Sequence, residues 1–385
     1  MADRWKFVVL TVNLAKHERR PLVVSLYAAG LEQLLYRDRA EGEMNLLRAP
    51  ITLLLLSLGF TLPLSAVKSS HEPSVQGLLL VVNKGEQTLG IVSPVTDEQL
   101  AVVPEGGTTG HEVAASLDGR TAYVPIYGNS GVGRPGTDGR NMVVIDVAAR
   151  KVIGDVDFGH GVRPHCAVFE PNQGLLYVTT ELDNSVAIID PHTLKIVGSI
   201  PTDQPESHML AITRDGQRGY TANVGPGTVS VLDLKARKTI AVISVARKIQ
   251  RISLSLDDKM VFTSDQTKPQ LAVIDTSTNK IKTWVSLPGL GYGSAPTRDG
   301  GWLIVAVPTA GKVAVVDLKS MKVAHVLDVP SAPQFVLVRP DNQVAYVSCD
   351  ASHKIAVINI STWRVDKLID TGKGADGLAW ADASR

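Results

Sequence analysis

The stretches Met142-Val143-Val144-Ile145-Asp146, Val186-Ala187-Ile188-Ile189-Asp190 and Val229-Ser230-Val231-Leu232-Asp233 are three copies of one phrase. It returns as Leu271-Ala272-Val273-Ile274-Asp275, Val313-Ala314-Val315-Val316-Asp317 and Ile355-Ala356-Val357-Ile358-Asn359. The closing residues are 44, 43, 42, 42 and 42 positions apart. Leu89-Gly90-Ile91-Val92-Ser93 is an earlier copy, 53 residues before Asp146, the extra length being a glycine-rich insertion at 128–140. Seven copies of one strand result. Each sits third in a longer unit: an apolar strand, an Asp-Gly-type turn, a Tyr-Val strand, the Val-Ile-Asp strand and a Lys-Val strand.

A period of roughly 40–45 residues with four short strands per unit is the pattern of a β-propeller. One four-stranded blade cannot bury both its faces alone, whereas blades stacked around an axis bury each other. The turn between strands one and two recurs as Leu117-Asp118-Gly119, Pro171-Asn172-Gln173, Arg214-Asp215-Gly216, Leu256-Asp257-Asp258, Arg298-Asp299-Gly300 and Pro340-Asp341-Asn342. Asp and Asn close such turns through their own side chains, and Gly accepts a positive φ. The first copy lacks an innermost strand, entering at Leu78-Leu79-Leu80-Val81, while Gly377-Leu378-Ala379-Trp380 has no blade of its own. The two ends are expected to complete one blade, which removes exposed sheet edges. The reading is all-β: a seven-bladed propeller of four-stranded antiparallel blades, closed by pairing of N- and C-terminal strands, over residues 67–385.

Composition agrees with a folded, turn-rich chain. Of 385 residues, 44% are hydrophobic and 20% charged, which excludes a disordered tail and a polytopic membrane protein. Lys+Arg 39 against Asp+Glu 38 leaves +1, so no nucleic-acid partner is expected. Two cysteines exclude a disulfide-stapled scaffold and zinc-ribbon spacings, and no Cys-x-x-Cys-His for haem attachment occurs. Cys166 and Cys349 are expected as free thiols, Cys349 in a loop with Asp350 and His353.

Residues 44–66 read as a secretory signal: Met44, the positive Arg48, the apolar run 51–64 and small residues before a cleavage after Ala66. The run falls short of the ~20 residues a spanning helix needs. Translation is expected to start at Met44, with 1–43 an upstream extension. The rival is a twin-arginine signal at Arg19-Arg20, interrupted by Glu32. The expected product is a periplasmic or extracellular monomer with no membrane span after cleavage.

Tyr177-Val178-Thr179-Thr180, followed by Asn184-Ser185-Val186-Ala187-Ile188-Ile189-Asp190, resembles the YVTN family of exported seven-bladed propellers. The likeness continues in Tyr123-Val124, Tyr220-Thr221-Ala222-Asn223 and Tyr346-Val347-Ser348, and in Gly161-Val162-Arg163-Pro164-His165, similar to the family's Gly-x-x-Pro-His phrase. Val261-Phe262 and Leu303-Ile304-Val305 depart from it. The resemblance implies fold and export, and surface-layer association for some members; it assigns no activity.

Seven residues before each turn Asp or Asn stand His111, His165, His208, Gln250, Tyr292 and Gln334, and Asp376 aligns through its own glycine-led phrase. These are equivalent positions on seven blades, expected around the upper mouth of the central channel. His111, His165 and His208 are the candidate ligands of one divalent copper, zinc or nickel ion, since neutral imidazole suits these metals. The competing readings are histidines that hold loops together and histidines that touch an organic ligand. Arg163 and Arg251, with Arg247 and Lys248, are placed to attract an anion; Glu112 and Glu206 are placed to support the histidines. The insertion 128–140 joins second and third strands and so lies on the same face, as a lid or as drift.

Two functions remain in view. One is a binding platform for a small molecule or protein at the mouth. The other is an enzyme there, a metal-dependent lactone hydrolase or lyase or a quinoprotein-type dehydrogenase, by analogy with other propellers.

Overall fold

Each repeat folds into four antiparallel strands because its apolar runs are cut by residues that accept a left-handed backbone. Gly119, Gly216 and Gly300 take φ near +65 to +72°, and Asp258 and Asn342 fill the same turn position at +57 and +60°. Asp118 Oδ1 accepts from Ser116 Oγ at 2.6 Å and from the Arg120 amide at 3.1 Å, the side-chain closure expected of such turns.

A computed structural model describes residues 76–382. The signal at 44–66 and the extension at 1–43 lie outside the described residues. Blade 1 consists of Leu78–Asn83, Thr88–Ser93 and Glu98–Pro104, with Ala375–Ala381 as its innermost strand. Blades 2 to 7 span 114–157, 164–201, 207–244, 253–286, 294–328 and 333–370, each a four-stranded sheet in chain order. The C-terminal strand pairs with the N-terminal one in the register Leu79 to Trp380 and Leu80 to Ala379. Closure therefore happens where the sequence places it. Neighbouring innermost strands touch all the way round, so the seven blades form a closed ring. The described residues contain no α-helix, only two single 3-10 turns, Pro308–Ala310 and Asp350–Ser352. None of the helices among them is long and apolar enough to cross a membrane.

The Val-Ile-Asp strands do not alternate between buried and exposed residues. Ser185–Asp190 and Lys312–Asp317 are buried on both faces, because blades sandwich them from either side. Alternation appears instead on the outermost strands, such as Glu98–Pro104, whose second face meets solvent. In all seven blades the pairing of third with fourth strand shifts register at the same place, as between Ile188 and Ile189. A bulge there adds twist, which lets neighbouring blades follow each other's curvature. The cores lie between blades: Leu80, Val82 and Ile91 of blade 1 pack on Val124, Val143 and Ile145 of blade 2.

Both cysteines are buried free thiols. Cys349 ends the strand Val344–Cys349 and packs in the core between blades 6 and 7, not in a loop as the sequence suggested. Its neighbours are engaged elsewhere: Asp350 pairs with Lys84, and His353 Nδ1 accepts from the Gly374 amide.

The crossing from blade 1 to blade 2 carries Glu105, 1% exposed, with Oε2 accepting from the Gly110 amide at 2.9 Å and Oε1 unpartnered. Burial pushes its carboxyl up to about 7. A raised carboxyl keeps its proton in the folded chain where the unfolded chain has lost it. The contribution is thus whole below the ordinary value of 4.5 and disappears as pH rises through 7. Glu105→Gln is expected to be more stable than wild type at pH 8, by on the order of 3 kcal/mol. The difference should close near pH 4.5 in urea melts; a gap independent of pH would refute this account.

Candidate functional site

The innermost strands start at the channel mouth, so one register position per blade faces the axis there. His111, His165, His208, Gln250, Tyr292, Gln334 and Asp376 all line a single cavity of about 120 Å³, together with Lys84, Tyr127 and Arg251. Gly131 and Val132 of the insertion complete its wall, so the insertion covers the mouth as a flap.

The flap's neck can be built only with glycine. A β-carbon at Gly139 would lie 1.6 Å from the Ile126 carbonyl, and one at Gly128, at φ +114°, 2.0 Å from that of Thr137. Farther out, Arg163 holds it down. Its Nε donates to Asp138 Oδ1 at 2.6 Å, its Nη2 to the Arg134 carbonyl at 2.7 Å and its Nη1 to Glu181 Oε1 at 3.2 Å. Arg163 is 5% exposed and lies outside the cavity wall, so its charge is spent on the flap. Arg247 and Lys248 are exposed and do not line the cavity either. Glu206 stands against the flap, where a β-carbon on Gly133 would meet its carboxylate at 2.5 Å.

Arg251 crosses the channel. From blade 5 its guanidinium reaches Glu112 of blade 2 and Asp376 Oδ1 of blade 1, the latter at 3.1 Å, and it stacks over Tyr292 at 4.8 Å. Asp376 Oδ2 also receives Lys84 Nζ at 3.2 Å. Burial alone would lower the Arg251 and Lys84 cations; the carboxylates beside them hold both above their ordinary values. Asp376 is held below the usual carboxylate range by Lys84 and Arg251 against its own burial. Burial wins at Glu112, which is pushed upward despite Arg251.

The three histidines are neutral for the same reason. Burial lowers His111 to about 4, takes His165 well below its ordinary value and lowers His208 despite the nearby Glu181. His165 and His208 stack with centroids 3.5 Å apart and planes 31° from parallel, while His111 meets His165 edge-on at 5.5 Å. A shared metal needs in-plane nitrogen lone pairs that converge at about 2.0–2.1 Å. Near-parallel rings send them side by side. Among the described residues no group of three His, Cys, Asp or Glu side chains is arranged to hold a metal ion.

Three participants were missed by counting along innermost strands. Lys84 and Glu181 each follow the second strand of their blade, and Tyr127 lies one residue further along in blade 2. Tyr127 stands against all three imidazoles, 5.1, 5.3 and 5.9 Å away, and its hydroxyl donates to Glu181 Oε2 at 2.6 Å. Glu181 Oε2 is 3.6 Å from His208 Nδ1, an electrostatic contact rather than a hydrogen bond. The Gln250 amide N–H donates to His208 Nε2 at 3.4 Å, which leaves the proton on Nδ1, facing Glu181.

No protein-family model matches the chain. Ninety-one residues are 29% identical to a 6-phosphogluconolactonase of Bacillus subtilis (strain 168), covering 21% of this chain and 26% of that protein. The chain thus matches about a quarter of that relative's length. Among solved structures, a functionally unknown protein from Desulfotomaculum acetoxidans DSM 771 aligns with a TM-score of 0.66 at 15% identity, over 79% of this chain and 98% of that one. Hydrazine synthase of Kuenenia stuttgartiensis aligns at 0.61 and 17%, over 71% and 90%. The dihydro-heme d1 dehydrogenase NirN, in complex with DHE, aligns at 0.59 and 15%, over 82% and 78%. At these identities the likeness is one of fold, and the fold is a seven-bladed β-propeller.

Proposed function

We propose that this chain is an exported, YVTN-type propeller that binds a small polar molecule in the channel mouth, beneath the flap at 128–140. The observation that carries the reading is the convergence of all seven equivalent residues and two flap residues on one cavity of about 120 Å³. Buried His165 Nδ1 has no partner there, and an unmet polar group in a cavity wall favours a ligand that meets it. Export rests on the signal-like stretch 44–66, and the family reading on the Tyr-Val-Thr-Thr phrase.

Titration calorimetry against small organic acids, amides and polyols of two to six carbons tests this. At least one class should bind wild type, and His165→Leu should weaken it tenfold or more, about one hydrogen bond's worth. Equal binding by both proteins would remove the mouth from the account. The flap gives a separate test. Arg163→Ala leaves Glu181 buried without its cation, a change worth about 3 kcal/mol. Thermolysin is then expected to cut between Gly131 and Val132 in the variant well before wild type; matching cleavage rates would show that Arg163 does not hold the flap.

A second reading, a hydrolase of small cyclic esters, is favoured by His208. Glu181 faces its Nδ1 proton, leaving Nε2 to take a proton from water once the substrate displaces Gln250. Arg251 and Lys84 stand ready to stabilise the oxyanion. The partial match to a lactonase points the same way. On a lactone panel, turnover should fall at least 100-fold in His208→Gln. Because the folded His208 is lowered, the wild-type rate should hold from pH 8 through the ordinary histidine range and decline only below it. No turnover in wild type leaves the binding reading alone.

A further inference from the structure

The channel holds a second chamber. It has a volume of about 150 Å³ and is walled by the residues one, two and three places inward from the mouth ring. Arg251 is the one residue that lines both chambers, so its guanidinium is the partition between them. The mouth is polar; the inner chamber is walled largely by apolar side chains, among them Val113, Met209, Leu210, Ile252, Phe335 and Val336.

The polar side chains in its wall are mostly satisfied. Glu112 takes Arg251, and Ser294 Oγ pairs with Ser253 Oγ at 2.7 Å. Arg251 Nε, on a side chain 3% exposed, has no partner. Water needs two to four polar partners to settle in a cavity, and among the side chains that wall this one Arg251 Nε is the only buried polar atom left without a partner. One unmet donor over apolar walls complements an apolar body that carries one acceptor oxygen.

We propose that the inner chamber is a second ligand site, independent of the mouth, for a neutral molecule of one six-membered ring or equivalent size bearing a single acceptor oxygen. The ring fills the space between Leu210, Ile252 and Phe335, and the oxygen accepts from Arg251. An open path is not required, since local openings of a folded protein admit small ligands to buried sites. Cys166 also lines this chamber, which gives the site a built-in reporter.

Titration calorimetry with phenol and with benzene tests the proposal. Phenol is expected to bind wild type with a Kd of roughly 0.1–1 mM, within what its seven non-hydrogen atoms can supply. Benzene is expected to bind about tenfold more weakly, the share of one hydrogen bond. Ala167→Leu and, separately, Val336→Phe fill the chamber from two different blades, and either variant that retains the wild-type circular dichroism should lose phenol binding. In wild type, saturating phenol should slow methylthiolation of Cys166 at least fivefold relative to Cys349, which lies outside the chamber. No phenol binding up to 10 mM, binding that survives in a folded filled variant, or equal binding of benzene and phenol would each overturn the proposal. Mouth-ligand titrations run beside it are read independently, because Leu at 167 and Phe at 336 do not replace any mouth residue.

Discussion

A buried cation that spans a channel has to find anions on the far side, and Arg251 meets that constraint by tying opposite parts of the ring together. Blade 5 lies three blades from blade 1 and three from blade 2, and Arg251 reaches both through Asp376 and Glu112. Removing one partner of such a pair strands a charge away from water, at about 3–5 kcal/mol. The closing strand Ala375–Ala381 is therefore held by more than its ladder. Asp376 near its start is clamped by Arg251 from across the channel and by Lys84 from the neighbouring strand. Closure of the ring and the wall of the mouth are one arrangement of charges.

That arrangement also decides what the mouth can do. Three imidazoles, lowered by burial, contribute donors and acceptors but no charge, and the two lining cations already face Asp376. Selection at this site works through the pattern of hydrogen bonds in a space of about 120 Å³, more than through a net field. The flap follows from the same economy of charge. Arg163 is fully occupied by Asp138, Glu181 and the Arg134 carbonyl, so it closes the site rather than attracting a ligand to it.

The fold was legible because a propeller is built from period. The spacing of Asp146, Asp190, Asp233, Asp275, Asp317 and Asn359 fixes the blade length, and the unmatched Leu78 and Trp380 segments require each other. The ring of seven was legible for the same reason, since equivalent positions in equivalent strands share a height on the axis. What spacing does not carry is side-chain direction. His165 and His208 sit where metal ligands would, yet their rings stack instead of converging, which follows from a 31° interplanar angle and no feature of the sequence. Glu181, Lys84 and Tyr127 were missed because the alignment followed first strands only. The residues just after the second strands reach the same face, and charged residues there, Lys84, Glu181, Asp265 and Asp350, were the available signal.

Repetition explains how the two chambers come to differ. Backbone equivalence gives each blade one residue at the mouth and further residues inward, and nothing in the repeat obliges seven copies to agree. At the mouth they diverge into three histidines, two glutamines, a tyrosine and an aspartate, all able to hydrogen-bond. Two places inward, Val113, Ala167, Leu210, Ile252 and Val336 keep the apolar character of an ordinary core, with Ser294 the polar member. Arg251 lies between these layers, in one that also holds Cys166, Met209, Gly293 and Phe335 and, across the channel, its partner Glu112. Gly377 of that layer leaves room: a β-carbon there would lie 2.6 Å from the Glu112 backbone, the partner Arg251 must reach. One long cation lines both compartments and separates a ring of hydrogen-bonding side chains from a wall whose side chains are mostly apolar.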